Sequence, residues 1–310
     1  MRILLATDGS EPAGLAVNLV DSITWPRGST IEVVAVFRQS RDFTAIPVST
    51  TTPEPPEVVG SVRYEPARWL DDALTSAVGQ LDRPGRKVAR VMLTGRAGSA
   101  IVKEAKGFDP DLVVVGSRGL GGMKRMVLGS VSSEVVDHSA RPVLVTRGSQ
   151  MRSLIFATDG SADSRAAERV LADWPIFKGL PVTVVSVAET EIPVSAGMAP
   201  GLYDQVVGSY EGDLSEAARE VAAIAEAAAA RLSEAGLVAT PMLRGGSPAE
   251  QIVAAAEELE ADLIVTGTRG HTGLARLVLG SVARNVVHHA DCSVLIVRGK
   301  KKGRGRRGKK

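Results

Sequence analysis

The chain repeats itself at an offset of 151 residues, from Asp8 to Asp159. The stretch ATDGS at residues 6–10 returns at residues 157–161, and the two halves end alike, in PVLVTRG and SVLIVRG. A repeat this long corresponds to a whole domain rather than to one unit of a solenoid. The 310 residues therefore divide into two copies of one domain, residues 1–148 and 149–299, and a tail, residues 300–310.

Each half alternates short aliphatic runs with stretches of helical apolar spacing. In the first half the runs lie at residues 3–6, 31–37, 88–93, 112–115 and 143–146, and the helical stretches at 13–23, 67–81, 99–105 and 131–138. Near-continuous aliphatic strands that alternate with helices are typical of a parallel sheet covered on both faces. We predict an α/β fold: two tandem open, doubly wound parallel-sheet domains, each five-stranded and Rossmann-like. The least regular stretches, Ser40 to Pro66 and Glu189 to Ser209, are predicted flaps over a site.

The charge of the chain is unevenly distributed. The formal net charge is +2, but the tail KKKGRGRRGKK, Lys300 to Lys310, carries eight positive charges, which leaves −6 for the rest. We expect this tail to be disordered and to bind polyanions, with a merely solubilising terminus as the alternative. The single cysteine, Cys292, the absence of a long apolar run and the lack of a signal peptide predict a cytoplasmic protein without membrane insertion.

A glycine-rich stretch lies between a strand and a helix in both halves, as GSRGLGGMKRMVLGS and GTRGHTGLARLVLGS. In open parallel sheets, ligands bind beyond the carboxyl ends of the strands, where such a loop lies. Glycine lets the backbone approach a ligand, and a helix N-terminus attracts anions. The pattern favours phosphate, although glycines that merely permit a tight turn are the alternative. It is neither a P-loop nor a dinucleotide fingerprint.

The spacing Gly-x2-Gly-x9-Gly-Ser, at residues 116–130 and 267–281, resembles that of tandem universal stress proteins of the ATP-binding type. Asp8 and Asp159 match the family's aspartate at the end of the first strand, and Gly246-Ser247-Pro248 matches its Gly-x-Pro. The first half departs there, with Gly95-Arg96-Ala97. The resemblance covers residues 1–299 and implies the adenine nucleotide α-hydrolase-like form of the fold.

The resemblance also implies one ATP, alone or with Mg²⁺, in each domain. Asp8 and Asp159 would approach the ribose or a phosphate-bound metal, and Val36 and Val187 would offer backbone groups to adenine. The implied contacts of the first domain are Ala6, Thr7, Asp8, Val36, Val115, Gly116, Arg118, Gly119, Gly129, Ser130, Val131 and Ser132. Those of the second domain are Ala157, Thr158, Asp159, Val187, Thr266, Gly267, Arg269, Gly270, Gly280, Ser281, Val282 and Ala283. Because Ala283 replaces the hydroxyl of Ser132, the second site is expected to be the weaker one.

Three functions remain open at this point. The first is a stress-response regulator whose ATP occupancy changes its affinity for an unidentified protein partner, with little or no hydrolysis. The second is a slow ATPase or phosphotransferase that uses the same sites, and the third is a polyanion binder that acts through the tail. No catalytic residue and no metal-ligand set can be assigned from the sequence.

Two structural expectations accompany these functions. The last strands, Val143 to Val145 and Val294 to Ile296, are expected to pair across a pseudo-two-fold axis within the chain, with a homodimer as a further option. A side chain at Gly116 or Gly267 is expected to obstruct the phosphates while leaving the sheet folded.

Overall fold

A computed structural model describes residues 1–37, 68–119, 128–189, 200–270 and 279–299, with backbone only at residues 200–215. The predicted flap at Ser40 to Pro66 and the basic tail therefore lie outside the described residues. So do residues 120–127 and 271–278, within the two glycine-rich loops.

The elements of each half follow the order that the sequence predicts. The first half contains β1 (Arg2–Ala6), α1 (Glu11–Ser22), β2 (Ser29–Phe37), α2 (Arg68–Leu81), β3 (Arg86–Thr94), α3 (Ala97–Phe108), β4 (Leu112–Gly116), α4 (Ser130–His138) and β5 (Val143–Thr146). The second half contains β6 (Leu154–Ala157), α5 (Ala162–Asp173), β7 (Pro181–Ala188), α6 (Pro200–Glu234), β8 (Val238–Gly245), α7 (Pro248–Glu258), β9 (Leu263–Gly267), α8 (Ser281–His289) and β10 (Ser293–Val297).

The strands form one ten-stranded sheet in the order β3-β2-β1-β4-β5-β10-β9-β6-β7-β8. Within each half the five strands are parallel, and the order reverses beside the first strand, which confirms the doubly wound fold. The halves meet at β5 and β10, which run antiparallel with Leu144 opposite Leu295. The expected pairing of the last strands is therefore present within the chain, and it covers an edge that each half would otherwise expose.

Two hydrophobic clusters cover the two faces of this sheet, and each cluster extends through both halves. One cluster joins residues of α1, α2, α5 and α6 to the strand residues on one face of the sheet, such as Leu144 and Leu295. The other joins residues of α3, α4, α7 and α8 to the alternate strand residues, such as Val145 and Val294. Because both clusters cross the junction, the pairing of β5 with β10 is buried on both sides. Among the described residues, no helix is both long and apolar enough to cross a membrane.

The prediction of an irregular stretch from Glu189 to Ser209 is wrong for its second part. Residues 200–209 belong to α6, and residues 190–199 lie outside the described residues. Proline is tolerated at the start of a helix, so Pro200 can open this one. Gly201 and Gly208 each disfavour a helix by only about 1 kcal/mol. The alanine-rich continuation offsets that cost, since Ala225, Ala228 and Leu232 are buried against the core.

Candidate functional site

A cavity of about 290 Å³ lies at the carboxyl ends of β1, β2 and β4, between the starts of α1 and α4. All twelve residues predicted for the first domain line it: Ala6, Thr7, Asp8, Val36, Val115, Gly116, Arg118, Gly119, Gly129, Ser130, Val131 and Ser132. The structure thus gathers at one place residues that are up to 126 positions apart in the sequence, from Ala6 to Ser132.

Sequence reasoning missed four further lining residues, Ala13, Val34, Ala97 and Ile101. The signals for three of them were present. Val34 is two residues before Val36 on the same strand, so the two side chains share a face of the sheet. Ala97 and Ile101 are four residues apart on α3 and therefore share a face of that helix.

The lining of the cavity is apolar on one side and polar on the other. Val34, Val36 and Val115 come from the strands, whereas the polar side is formed by the N-terminal end of α4, which begins at Ser130. Its N-cap residue is Gly129, which has no side chain to cap the helix. The free N–H groups of a first helical turn, together with the positive end of the helix dipole, attract anions. This cavity suits a ligand with a flat apolar part and an anionic part.

Asp8 is held at the edge of the cavity by the turn that follows β1. Its Oδ1 accepts hydrogen bonds from the N–H of Ser10, at 3.1 Å, and from the Ser10 hydroxyl, at 2.5 Å. Gly9 has a φ of +73°, a left-handed conformation that favours glycine. The other oxygen, Oδ2, lies directly over Gly119, where a Cβ would collide with it. Asp8 is therefore oriented by the backbone and lies beside the glycine-rich loop.

The chemistry of this lining fits a phosphate-bound Mg²⁺ better than a metal held by protein alone. Magnesium in nucleotide sites commonly takes one or two carboxylates and completes its shell with phosphate oxygens and water. Asp8 would supply one such carboxylate, and Arg118 is the other charged residue among the described lining residues. Across the described residues, no group of three or more His, Cys, Asp or Glu side chains is arranged to hold a metal ion.

Among the described motif glycines, Gly116 and Gly267 approach the protein's own backbone most closely. A Cβ on Gly116 would come within 2.9 Å of the carbonyl carbon and oxygen of Pro12, at the start of α1. A Cβ on Gly267 would come within 2.7 Å of the Asp163 carbonyl carbon and the Ser164 nitrogen, at the start of α5. That a side chain there leaves the sheet folded stays a prediction, but a Cβ would also displace the start of the neighbouring helix. Both positions need glycine for the approach of a helix, whether or not a ligand is bound.

Ser132 has a structural partner as well. Its hydroxyl is buried and donates a hydrogen bond of 2.6 Å to the carbonyl of Gly116. In the second half Ala283 cannot make this bond, and the carbonyl of Gly267 instead accepts from the hydroxyl of Thr266 at 3.3 Å. The exchange of Ser132 for Ala283 therefore changes which hydroxyl bonds the carbonyl of the glycine at the end of the strand. It does not remove a hydroxyl that would otherwise be available to a ligand.

The second half brings its predicted residues to the same edge of the sheet. Asp159 repeats the turn, with the Ser161 N–H donating to its Oδ1 at 3.0 Å, and a Cβ on Gly270 would lie 2.7 Å from its Oδ2. The remaining predicted residues stand at the ends of β6, β7 and β9 or at the start of α8: Ala157, Thr158, Val187, Thr266, Gly267, Arg269, Gly280, Ser281, Val282 and Ala283.

The described cavity of the second half, about 340 Å³, lies between the starts of α7 and α8. Of the predicted residues it includes only Ser281 and Val282. One local difference from the first half is Asp163, which stands where the first half has Pro12. The Nε of Arg269 lies 3.4 Å from its Oδ2, and the Thr268 hydroxyl donates to the same oxygen. The ion pair places the side chain of Arg269 beside the start of α5.

The universal stress protein family matches the chain twice, over residues 1–147 and 151–298. The chain belongs to the universal stress protein family. A universal stress protein of Methanocaldococcus jannaschii is 34% identical over 152 residues, which cover 49% of this chain and 84% of that protein. The twofold match shows that this member carries two universal stress protein units in tandem.

A solved structure of the family that covers nearly the whole chain shares its fold. A universal stress protein from Archaeoglobus fulgidus covers 96% of this chain and 98% of its own, with a TM-score of 0.59 and 18% identity. A universal stress protein from the same organism, solved in complex with dAMP, covers 48% of this chain and 98% of its own, with a TM-score of 0.30 and 24% identity. The bound dAMP is a property of that protein.

Proposed function

We propose that this universal stress protein binds ATP at the carboxyl edge of each half, and that nucleotide occupancy regulates its affinity for a protein partner. The observation that carries the proposal is the cavity of the first half. It is lined by all twelve residues that the family resemblance implies as contacts, with apolar strand residues on one side and a helix N-terminus on the other.

Each part of ATP has a matching part of the cavity. Adenine would lie against Val34, Val36 and Val115, where the lining is apolar. The phosphates would lie at the start of α4, where free N–H groups and the positive end of the helix dipole favour anions. Arg118 would add a positive charge, and Asp8 would hold the ribose or a phosphate-bound Mg²⁺.

The second site is proposed to bind more weakly than the first. Its motif residues reach the same edge of the sheet, but the described cavity there takes in only the start of α8 from that set. The contacts of Arg269 and Thr268 with Asp163 would have to loosen for the arginine to face a phosphate. That rearrangement reduces the net binding energy.

The described lining supports binding more directly than hydrolysis. A phosphoryl-transfer site needs a group that positions or activates the attacking water. Asp8 is the one carboxylate among the described lining residues, and its Oδ1 is already bonded to Ser10. A regulator, in contrast, needs only a ligand that binds two states of the protein with different affinity.

Calorimetric titration with ATP and Mg²⁺ tests this proposal through Gly119 and Gly270. Unlike Gly116, each of these glycines faces the side chain of an aspartate, which can move aside. We expect two sites in the unaltered chain, loss of the tighter one in Gly119→Val and loss of the weaker one in Gly270→Val. Gly14→Ala is the matched control, because a Cβ there meets nothing within 4 Å. Absence of ATP binding by the folded, unaltered chain would refute the proposal. Rapid release of phosphate would show that the protein is an ATPase rather than a regulator.

A further inference from the structure

Two arginines cross from one half of the chain to the other. Arg298 follows β10, and its Nη2 donates to the carbonyls of Val136, at 2.8 Å, and Asp137, at 2.7 Å, in the last turn of α4. Arg147 follows β5 and donates to the carbonyl of Val287, in the last turn of α8, and to that of Cys292 at 3.4 Å. The two arginines stand at equivalent positions of the repeat, so the contact is made twice, in opposite directions.

Each arginine meets a need of the helix that it contacts. The last carbonyls of a helix have no partner within the helix, and a cation there also suits the negative end of the helix dipole. A guanidinium offers several donors in one plane, so it can serve two carbonyls at once. Both arginines are partly buried, and desolvation is the main cause that lowers the pKa of each. The carbonyl contacts offset the cost of burying a cation.

The junction around these arginines is a polar network built from both halves. The Ser293 hydroxyl accepts hydrogen bonds from the N–H of Arg147, at 3.1 Å, and of Gly148, at 3.4 Å. Arg284 of α8 contacts Asp137 of α4, with 3.1 Å between Nη2 and Oδ1. The ends of α4 and α8 are therefore fixed to residues of the opposite half as well as to the strands of their own half.

The same two helices begin at the two candidate sites. α4 starts at Ser130 and α8 at Ser281, and each has nine residues, a length of about 13 Å. An isolated helix this short is unstable, because helix formation is cooperative and its stability depends on packing. Loosening the last turn of such a helix therefore disturbs its first turn, where the phosphates are proposed to bind.

We propose that Arg147 and Arg298 are positioning residues that act crosswise. Arg298, in the second half, sets the nucleotide affinity of the first site, and Arg147, in the first half, sets that of the second site. This inference rests on the proposed function, because it assigns these residues a role at the proposed ATP sites. It also gives the duplicated chain a physical connection between its two sites.

The test measures ATP affinity in full-length chains that keep one site at a time. With the second site removed by Gly270→Val, Arg298→Met is expected to weaken ATP binding about fivefold, the effect of losing a favourable charge at a helix end. Arg147→Met in the same background should weaken it less than Arg298→Met does, because Arg147 contacts the other helix and interacts with Arg118 of the first site only through its charge. With the first site removed by Gly119→Val, Arg147→Met should have the larger effect on ATP affinity and Arg298→Met the smaller one. Methionine keeps the apolar stem of the side chain, and Arg298→Lys should recover part of the affinity because it keeps the charge.

A merely structural role would give a different pattern. Equal losses from both arginine variants in one background, or no loss from either, would overturn the crosswise assignment. Failure of the unaltered chain to bind ATP would instead refute the proposed function. Hydrogen exchange then still tests the positioning: Arg298→Met should speed exchange at the end of α4, including the Ser139 amide that bonds the Val135 carbonyl, and leave α8 unchanged. Unchanged exchange at α4 would overturn the inference by itself.

Discussion

Gly116→Ala should destabilise the protein because of a contact with α1. The added Cβ would lie 2.9 Å from the carbonyl carbon and oxygen of Pro12 and 3.0 Å from the nitrogen of Ala13. Carbon atoms in favourable contact are about 3.5–4.0 Å apart. The atoms on the other side are backbone, so no change of rotamer relieves the overlap, and the start of α1 has to move away from the sheet.

The size of the effect follows from two opposing contributions. Overpacking a well-packed region costs about 1–3 kcal/mol, and the loss of glycine's freedom in the unfolded chain returns about 0.4–1 kcal/mol. The free energy of unfolding should therefore fall by about 1–2 kcal/mol in Gly116→Ala. Gly267→Ala should lose at least as much, since its closest contact would be 2.7 Å.

Gly14→Ala is the control, because Gly14 lies on α1, the helix against which Gly116 packs. A Cβ there meets nothing within 4 Å, and alanine favours a helix over glycine by about 0.5–1 kcal/mol. Urea unfolding followed by circular dichroism should therefore shift to lower denaturant for Gly116→Ala and to higher denaturant for Gly14→Ala. If Gly116→Ala were as stable as the unaltered chain but lost ATP binding, the glycine would serve the ligand alone and the steric reasoning would be refuted.

Three further predictions concern the thiol, the junction and the tail. Burial raises the pKa of Cys292 to about 11, so its alkylation at pH 8 should be at least about tenfold slower in the native protein than in urea. Mass spectrometry measures the rate, which should increase as the pH approaches that pKa. Equal rates in the native and the unfolded protein would contradict the burial of Cys292. Aspartate at both Val145 and Ile296 puts charges into the buried β5–β10 pair, so small-angle scattering should show a larger radius of gyration, and an unchanged radius would count against this junction. Deleting Lys300 to Lys310 should abolish retention of DNA at low salt, and retention equal to that of the full chain would exclude the tail as the polyanion-binding segment.

The order of strands and helices could be predicted because near-continuous aliphatic runs that alternate with helical stretches are typical of a buried parallel sheet. Boundaries were less certain: α3 spans Ala97–Phe108, longer than the stretch of apolar spacing that predicts it. The gathering of the first-half residues could also be predicted, since carboxyl ends of parallel strands share one edge of the sheet.

The role of individual motif residues could not be predicted in the same way. A glycine kept for a ligand and a glycine kept for a neighbouring helix look identical in sequence, and the contact of Gly116 with Pro12 joins residues 104 positions apart. The Ser132 hydroxyl likewise has a partner that spacing does not reveal. Arg147 and Arg298 were visible as parts of the repeat, but their contacts exist only because the halves pair through β5 and β10.

The central claim is that the repeated motif forms nucleotide sites, and native mass spectrometry of the gently purified full chain tests it most directly. In the presence of ATP and Mg²⁺, we predict species that carry one and two nucleotides. The double variant Gly119→Val/Gly270→Val should carry none and keep the circular dichroism of the unaltered chain. A folded, unaltered chain that carries no nucleotide, or a double variant that carries as many as the unaltered chain, would contradict the claim.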